Sequence, residues 1–239
     1  MKQYPVAILA GGLATRLRPV TETIPKSLVQ VAGEPFLAHQ LRLLRRHGVE
    51  SAVLCVGHLG EMIEEQFGNG TEWGISLRYS YDGPDLLGTG GAIVNALPLL
   101  GNAFFVLYGD SYLPVDLAMV ARRFRMEGRL GVMTVFRNDD AFDRSNVHFH
   151  NGELLRYDKE QRTAEMRHID YGLSLFWSEA FASKVSAQAF DLAELQRELV
   201  DARQMAGCLV TERFYEIGSH DGLGELEELL APAPLLCAS

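Results

Sequence analysis

Three cysteines in 239 residues are too few and too scattered to frame a fold. Cys55, Cys208 and Cys237 are odd in number and far apart, which argues against a disulfide scaffold or a zinc site. They fit reduced thiols in a cytoplasm. Basic charge is also short: 22 Lys and Arg face 31 Asp and Glu, a formal net charge of −9. Neither a nucleic-acid nor an anionic-membrane surface is expected from that balance. No apolar run approaches the length of a bilayer span. The opening MKQYPVAILAGG enters a strand pattern directly, without the regions of a signal peptide. Internal repeats and low-complexity linkers are missing. So are three chemical fingerprints: a P-loop, a G-x-G-x-x-G after the first strand, and the G-x-S-x-G elbow of a nucleophilic serine. Covalent catalysis therefore finds no support.

What is present is ordinary globular composition, 47% hydrophobic and 22% charged, patterned as strands alternating with helices. Val6 to Leu9 is a short apolar run punctuated by Pro5 and Gly11, as for a buried strand. Continuous or alternating runs at Ser51–Val56, Ile75–Tyr81, Phe104–Tyr108, Gly131–Phe136 and Arg167–Phe176 read as further strands. Helical spacing covers Pro35–Arg46, Leu59–Phe67, Gly88–Leu97, Val115–Glu127 and Ala180–Gln204, with a last helix over Gly222–Leu230. Asn151-Gly152 signals a hairpin. Cys208–Val210 and Phe214–Ile217 look strand-like, and Ala231–Ser239 reads as a loose tail. The alternation implies an α/β fold, Rossmann-like, with a mixed, mostly parallel sheet flanked by helices. Ligands then belong at the carboxyl ends of the strands. Gly11, Gly57 and Gly109 each follow a strand and are expected along one such edge.

Chemistry-bearing residues collect at those ends. Gly11-Gly12-Leu13-Ala14-Thr15-Arg16 lets backbone N–H groups approach an anion closely and ends in a guanidinium fork. Pro25-Lys26-Ser27 brings a second cation. Two glycines after a strand are by themselves just a tight turn; with two cations they make a phosphate site. Tyr108-Gly109-Asp110 puts a carboxylate past a buried strand, and Glu216-Ile217-Gly218-Ser219-His220-Asp221 puts another near the far end. An isolated Asp of this kind is more often a helix cap. Leu87-Gly88-Thr89-Gly90-Gly91-Ala92 opens a helix with small residues, and Gly57-His58 follows the second strand. Tyr157-Asp158-Lys159 and Ile169-Asp170-Tyr171-Gly172-Leu173 follow the hairpin; a lone Lys is usually a solvated charge. His148 and His150 share a strand face without a third ligand.

Taken together, Gly11-Gly12-x-x-Thr15-Arg16-Leu17-x-Pro19 with Pro25-Lys26 resembles the signature of the sugar-1-phosphate nucleotidyltransferases, with Ala14 where that signature carries Gly. The other motifs follow in the family's order up to Asp221. The resemblance implies a single nucleotidyltransferase domain of GT-A type. It divides into a nucleotide-binding lobe over about 1–112, a hairpin-containing sugar-binding lobe over about 113–230, and the tail. It implies an NTP and a sugar 1-phosphate as partners, with Mg²⁺ as cofactor on Asp110 and Asp221. Leu9, Ala10, Gly11, Gly12, Gly57, Gly88, Thr89 and Asp110 would hold the nucleotide. Arg16 and Lys26 would be catalytic, Arg16 on the departing pyrophosphate. Asp158, Lys159 and Gly172 would meet the sugar phosphate. The combination is most similar to short bacterial heptose 1-phosphate guanylyltransferases, which points to GTP and D-glycero-α-D-manno-heptose 1-phosphate for surface polysaccharide synthesis. Mannose 1-phosphate is the alternative. A metal-dependent glycosyltransferase would carry Asp-x-Asp, which Asp110-Ser111-Tyr112 lacks, and a silent relative would have lost one of Arg16, Lys26, Asp110 or Asp221. Relatives often self-associate, so a dimer is a mild expectation.

Overall fold

The structure is a computed structural model and describes residues 4–12, 23–185 and 189–231. Its frame is a nine-stranded sheet that runs through both halves of the chain. Strand β1 (Val6–Leu9) is at the middle, and Val6, Ala7 and Ile8 are fully buried. A strand covered on both faces has no polar side to show, which is why the run is uninterruptedly apolar. After a short antiparallel pair, β2 (Gln30–Val31) and β3 (Glu34–Pro35), helix α1 (Phe36–Arg46) packs Leu37, Leu41 and Leu44 onto one face of the sheet. Their spacing of four and three puts all three on one helical stripe. Strand β4 (Ser51–Val56), helix α2 (Gly60–Phe67) and strand β5 (Ser76–Tyr81) extend the sheet in parallel to its edge. Helix α3 (Gly88–Leu100) covers the opposite face with Ala92, Ile93, Ala96 and Leu100. Strand β6 (Ala103–Tyr108) then lies parallel to β1 on its other side.

The second half departs from the parallel pattern. A two-residue strand β7 (Ser111–Tyr112) precedes helix α4 (Leu117–Glu127), whose N-cap Asp116 accepts the Ala118 N–H. Strand β8 (Gly131–Arg137), the hairpin β9 (Val147–His150) and β10 (Glu153–Tyr157), and the long β11 (His168–Trp177) follow. Asn151 and Gly152 form the hairpin turn with φ 49 and 84. β11 is antiparallel to both β6 and β8, and joins the two halves. Its register against β8 shifts between Asp170 and Ser174, a bulge around Gly172. Helix α5 (Leu192–Asp201) and strand β12 (Met205–Val210), parallel to β8, complete the sheet. Strand β13 (Tyr215–Glu216) pairs with β7, and helix α6 (His220–Leu230) follows it.

The one long helix expected over Ala180–Gln204 is two pieces, a 3₁₀ stretch at Ser178–Lys184 and α5. The reason is local. Asp191 and Glu194 form a capping box, each side chain taking a backbone N–H of the other end, and this starts a new helix. The tail beyond Ala231 lies outside the described residues.

Phe104, Phe176 and Phe181 link the halves: the ring of Phe181 stands 5.8 Å from Phe104 and 5.4 Å from Phe176. All three are fully buried. Phe181→Ala is expected to cost about 3–5 kcal/mol of unfolding free energy, as for other buried aromatic truncations, measured by urea denaturation. A loss under about 1 kcal/mol would mean that the rings do not carry this junction.

Candidate active site

The carboxyl ends of β1, β4 and β6 meet so closely that side chains do not fit between them. Ala10 N–H donates to Cys55 O at 2.8 Å and Gly109 N–H to Leu9 O at 3.0 Å. A Cβ on Gly109 would stand 2.3 Å from Leu9 O, and one on Gly11 3.1 Å from Gly57 N. The three glycines therefore gather as expected. Over this edge opens a cavity of about 450 Å³, lined by residues from six segments of the chain. Its size suits a small-molecule ligand.

One wall carries the charges. Lys26, on a 3₁₀ turn after β1, places Nζ 2.8 Å from Asp110 Oδ2, and Ser111 Oγ donates to Asp110 Oδ1 at 3.2 Å. Glu216 lines the same wall. The β7–β13 pair sets Glu216 opposite Ser111, and Ile217 N–H donates to Asp110 O at 2.9 Å. A side chain at Gly218 would lie 3.5 Å from Lys26 Nζ and 3.6 Å from Glu216 Oε1, so the lysine and the glutamate flank that glycine together. Asp110 and Glu216 are hard oxygen donors of the kind a magnesium ion takes, two protein carboxylates being enough when phosphates and waters fill the rest. Among the described residues, no group of three or more His, Cys, Asp or Glu could hold a metal ion.

The opposite wall is built by the β1 and β5 ends and the start of α3. Leu9, Ala10, Gly11, Gly12, Gly88 and Thr89 line the cavity as expected. Gly57 stands just behind, under Gly11 O and Leu86. Thr89 is also occupied elsewhere: its hydroxyl donates to Asp191 and accepts the Leu192 N–H at 2.8 Å, so it caps α5. Asp82, directly after β5, also faces the cavity. Its Oδ2 accepts the Leu87 N–H at 3.3 Å, while Oδ1 is buried and has no hydrogen-bond partner among the described residues. Burial pushes the Asp82 carboxyl above its ordinary range, against the pull of the Leu87 N–H. Behind it the Cys55 thiol is pushed up to about 12, by burial first and the Asp82 charge second, and is inert at neutral pH.

Besides Gly57, four expected positions do not line the cavity: Asp221, Asp158, Lys159 and Gly172. Asp221 is exposed on the first turn of α6 and does not line the cavity; Glu216, five residues earlier, does. Ser219 caps α6 by accepting the Gly222 N–H, so the chain has already turned into a helix before it reaches Asp221. Asp158 is buried, its Oδ1 taking the N–H groups of Glu160 and Gln161 at 2.9 and 2.8 Å, and it shapes the turn that carries Lys159. Lys159 reaches the ring of Tyr108, a cavity residue, at 5.4 Å. Gly172, at φ +96, lets the β11 bulge pack on Tyr108 and Ser111. Arg16 lies outside the described residues. Asp82 directly follows β5, close to the position that identified Asp110 after β6, whereas Glu216 is itself the last residue of β13.

The family model for nucleotidyl transferases matches residues 6–145. The chain belongs to the nucleotidyl transferase family. It is 30% identical over 212 residues to a UTP–glucose-1-phosphate uridylyltransferase of Synechocystis, covering 82% of this chain and 55% of that protein. It is 29% identical over 212 residues to a D-glycero-α-D-manno-heptose 1-phosphate guanylyltransferase of Campylobacter jejuni, covering 88% of this chain and 93% of that protein. The chain thus spans little more than half of the first relative and most of the second. In fold it matches the crystal structure of HddC from Yersinia pseudotuberculosis complexed with GMP-PN, with TM-score 0.76, 23% identity and coverage of 95% and 99%. The mixed sheet flanked by helices is the fold of such structures. No helix among the described residues is long and apolar enough to cross a membrane.

Next to the cavity, Asp170 accepts the Gly172 N–H at 3.1 Å and the Tyr157 hydroxyl at 3.3 Å. Burial raises its carboxyl above the ordinary 3.8, with the Lys159 ammonium opposing. The unfolded chain then ionises first as pH rises, so the folded state binds the extra proton and loses stability through that window. Asp170→Asn removes the titration. Its Tm relative to wild type is expected to be higher at about pH 7 than at about pH 4, by thermal melts in both buffers. A pH-independent difference would show that Asp170 ionises as freely as in water.

Proposed function

We propose that the protein transfers a guanylyl group from GTP to D-glycero-α-D-manno-heptose 1-phosphate, releasing GDP-heptose and pyrophosphate in the cytoplasm for surface polysaccharide synthesis. The observation that carries the reaction class is the wall on which Lys26, Asp110 and Glu216 meet beside glycine backbone. A sugar phosphate is already largely dianionic at neutral pH, its second pKa being about 6, so its oxygen can attack the α-phosphorus without a general base. The site has to position two polyanions and offset their charge. Lys26 can leave Asp110 for the α-phosphate, and Lys159 sits on the Tyr108 ring within reach of an incoming phosphate. Arg16 is assigned the departing pyrophosphate from its motif. Asp110 and Glu216, in place of Asp221, would hold Mg²⁺, which neutralises phosphate charge when bound. A bond forms from the sugar phosphate oxygen to the α-phosphorus as the bond to the pyrophosphate oxygen breaks.

Asp82 supports guanine. A carboxylate on the cavity wall accepts and cannot donate. The Watson–Crick edge of guanine offers two adjacent donors, N1–H and the N2 amine. Uracil and thymine offer one donor between two acceptors, and adenine and cytosine pair one donor with one acceptor. Facing a carboxylate, guanine alone loses no acceptor to repulsion. The near full-length match to the Campylobacter guanylyltransferase supports the heptose, and the Synechocystis uridylyltransferase keeps UTP and glucose 1-phosphate in the comparison.

Pyrophosphate release with Mg²⁺ should be strongest for GTP with the heptose phosphate, when five NTPs are crossed with heptose, mannose and glucose 1-phosphates. Release with another pair would keep the class and replace the substrates; silence from folded protein would overturn both. Asp110→Asn should lower kcat by at least about 100-fold with an unchanged circular dichroism spectrum. Asp82→Asn should lower kcat/KM for GTP by about 5- to 150-fold, the worth of one bidentate pair, and move UTP less. Equal losses for both nucleotides would remove Asp82 from base reading.

A further inference from the structure

We infer that Gln40, on α1, is a positioning residue that holds the Asp110 carboxylate in its cation-binding place. The inference rests on the reading of Asp110 given above; the side chain itself does not line the cavity and meets its wall only at the Tyr108 carbonyl.

Gln40 is 1% exposed. Its Nε2 donates to Ser111 O at 2.8 Å and to Tyr108 O at 3.1 Å, the two carbonyls that bracket Gly109-Asp110. Both partners are acceptors, so the amide must turn its nitrogen toward them and its orientation is determined by chemistry. The other backbone ties on this short segment are Gly109 N–H to Leu9 O and Ile217 N–H to Asp110 O, while Lys26 and Ser111 bond the carboxylate itself. Gln40 therefore supplies a side-chain clamp from a third direction. It closes the two-residue turn that aims Asp110 at Lys26 and at the wall carrying Glu216.

The burial of this amide would be costly for a purely structural residue. Gln40 Oε1 has no hydrogen-bond partner among the described residues, and it borders a small void of about 20 Å³ shared with Leu43 and Ser111. A leucine or methionine would fill that void and leave no buried carbonyl oxygen of its own unpaired, at the cost of the two donated bonds. The donors are what an apolar side chain cannot replace. Groups that orient a metal-binding carboxylate from behind typically change metal affinity by about 10- to 100-fold when removed.

The test measures Mn²⁺ binding to the substrate-free protein by electron paramagnetic resonance, together with steady-state kinetics. Wild type comes first: if it binds no Mn²⁺, and Asp110→Asn changes nothing, the cation reading of Asp110 fails before Gln40 is tested. Given wild-type binding, Gln40→Met should weaken Mn²⁺ about 10-fold or more and lower kcat, with KM for the NTP changed less than threefold. Leu43→Ala, which opens the same void and leaves both Gln40 hydrogen bonds in place, should lower Tm and leave Mn²⁺ affinity as in wild type. Gln40→Asn keeps the amide but is one methylene short; it should fall between wild type and Gln40→Met, and it carries the test if Gln40→Met does not fold. Unchanged Mn²⁺ affinity in either Gln40 variant, or an equal loss in Leu43→Ala, would reduce Gln40 to core packing.

Discussion

The cavity depends on how closely the ends of three parallel strands are allowed to approach. Gly109 N–H reaches Leu9 O at 3.0 Å, and Gly11 leaves no more than 3.1 Å between a would-be Cβ and Gly57 N. Such spacing requires glycine on the one side and uninterrupted strand pairing on the other. The pairing is secured by burial: β1 has both faces covered, by α1, α2 and α4 on one side and by α3 and α5 on the other. With that edge fixed, the residues that directly follow β1, β5 and β6 line the cavity. They are Ala10, Asp82 and Gly109, and only Asp82 brings a charge.

The charged wall is held by weaker forces, and this suits it. Lys26 and Asp110 form a 2.8 Å ion pair with side chains 17% and 38% exposed. A partly exposed pair of this kind is worth about 1 kcal/mol or less, because water and salt compete for both partners. Polyanionic phosphates or a cation can outbid it without straining the backbone. What does not yield is the scaffold beneath: the β7–β13 pair, the Ile217 to Asp110 hydrogen bond and the buried Gln40 amide. Rigid backbone under rearrangeable charges separates the placing of the carboxylates from their partners.

Much of this was legible in the residues. Strands buried on both faces announce themselves as continuous apolar runs, and the three glycines after them named the edge. Asp110 was expected from its place after a strand and Lys26 from Pro25-Lys26-Ser27; that the two pair is seen only in the fold. What was harder depended on neighbours that are remote in sequence. Glu216 and Asp221 are five residues apart around one Gly-Ser turn, and nothing local says which of them precedes the helix. Ser219 capping Gly222 decides it. Asp158 was expected at the sugar phosphate, but its Oδ1 takes the turn N–H groups of Glu160 and Gln161 and its Oδ2 faces Arg156. Asp82 stands outside every motif of the sequence, and only the fold brings it to the cavity wall.

Thr89 shows why residue type and spacing cannot apportion roles by themselves. Its backbone lines the cavity, while its hydroxyl serves Asp191 and the Leu192 N–H at the start of α5, 102 and 103 residues away. Gly90 N–H adds a bond to Phe190 O at 2.9 Å, and a Cβ on Gly90 would meet the Phe190 ring at 2.2 Å. The loop that opens α3 is thus clamped by the segment that opens α5. Since α5 packs through Leu192, Leu195 and Leu199 on the same face as α3, displacement of either helix start disturbs the other. The wall beside Asp82 and the start of α5 are tied directly to each other by these bonds. The small residues of Gly88-Thr89-Gly90 are therefore demanded twice, once by the cavity and once by this clamp.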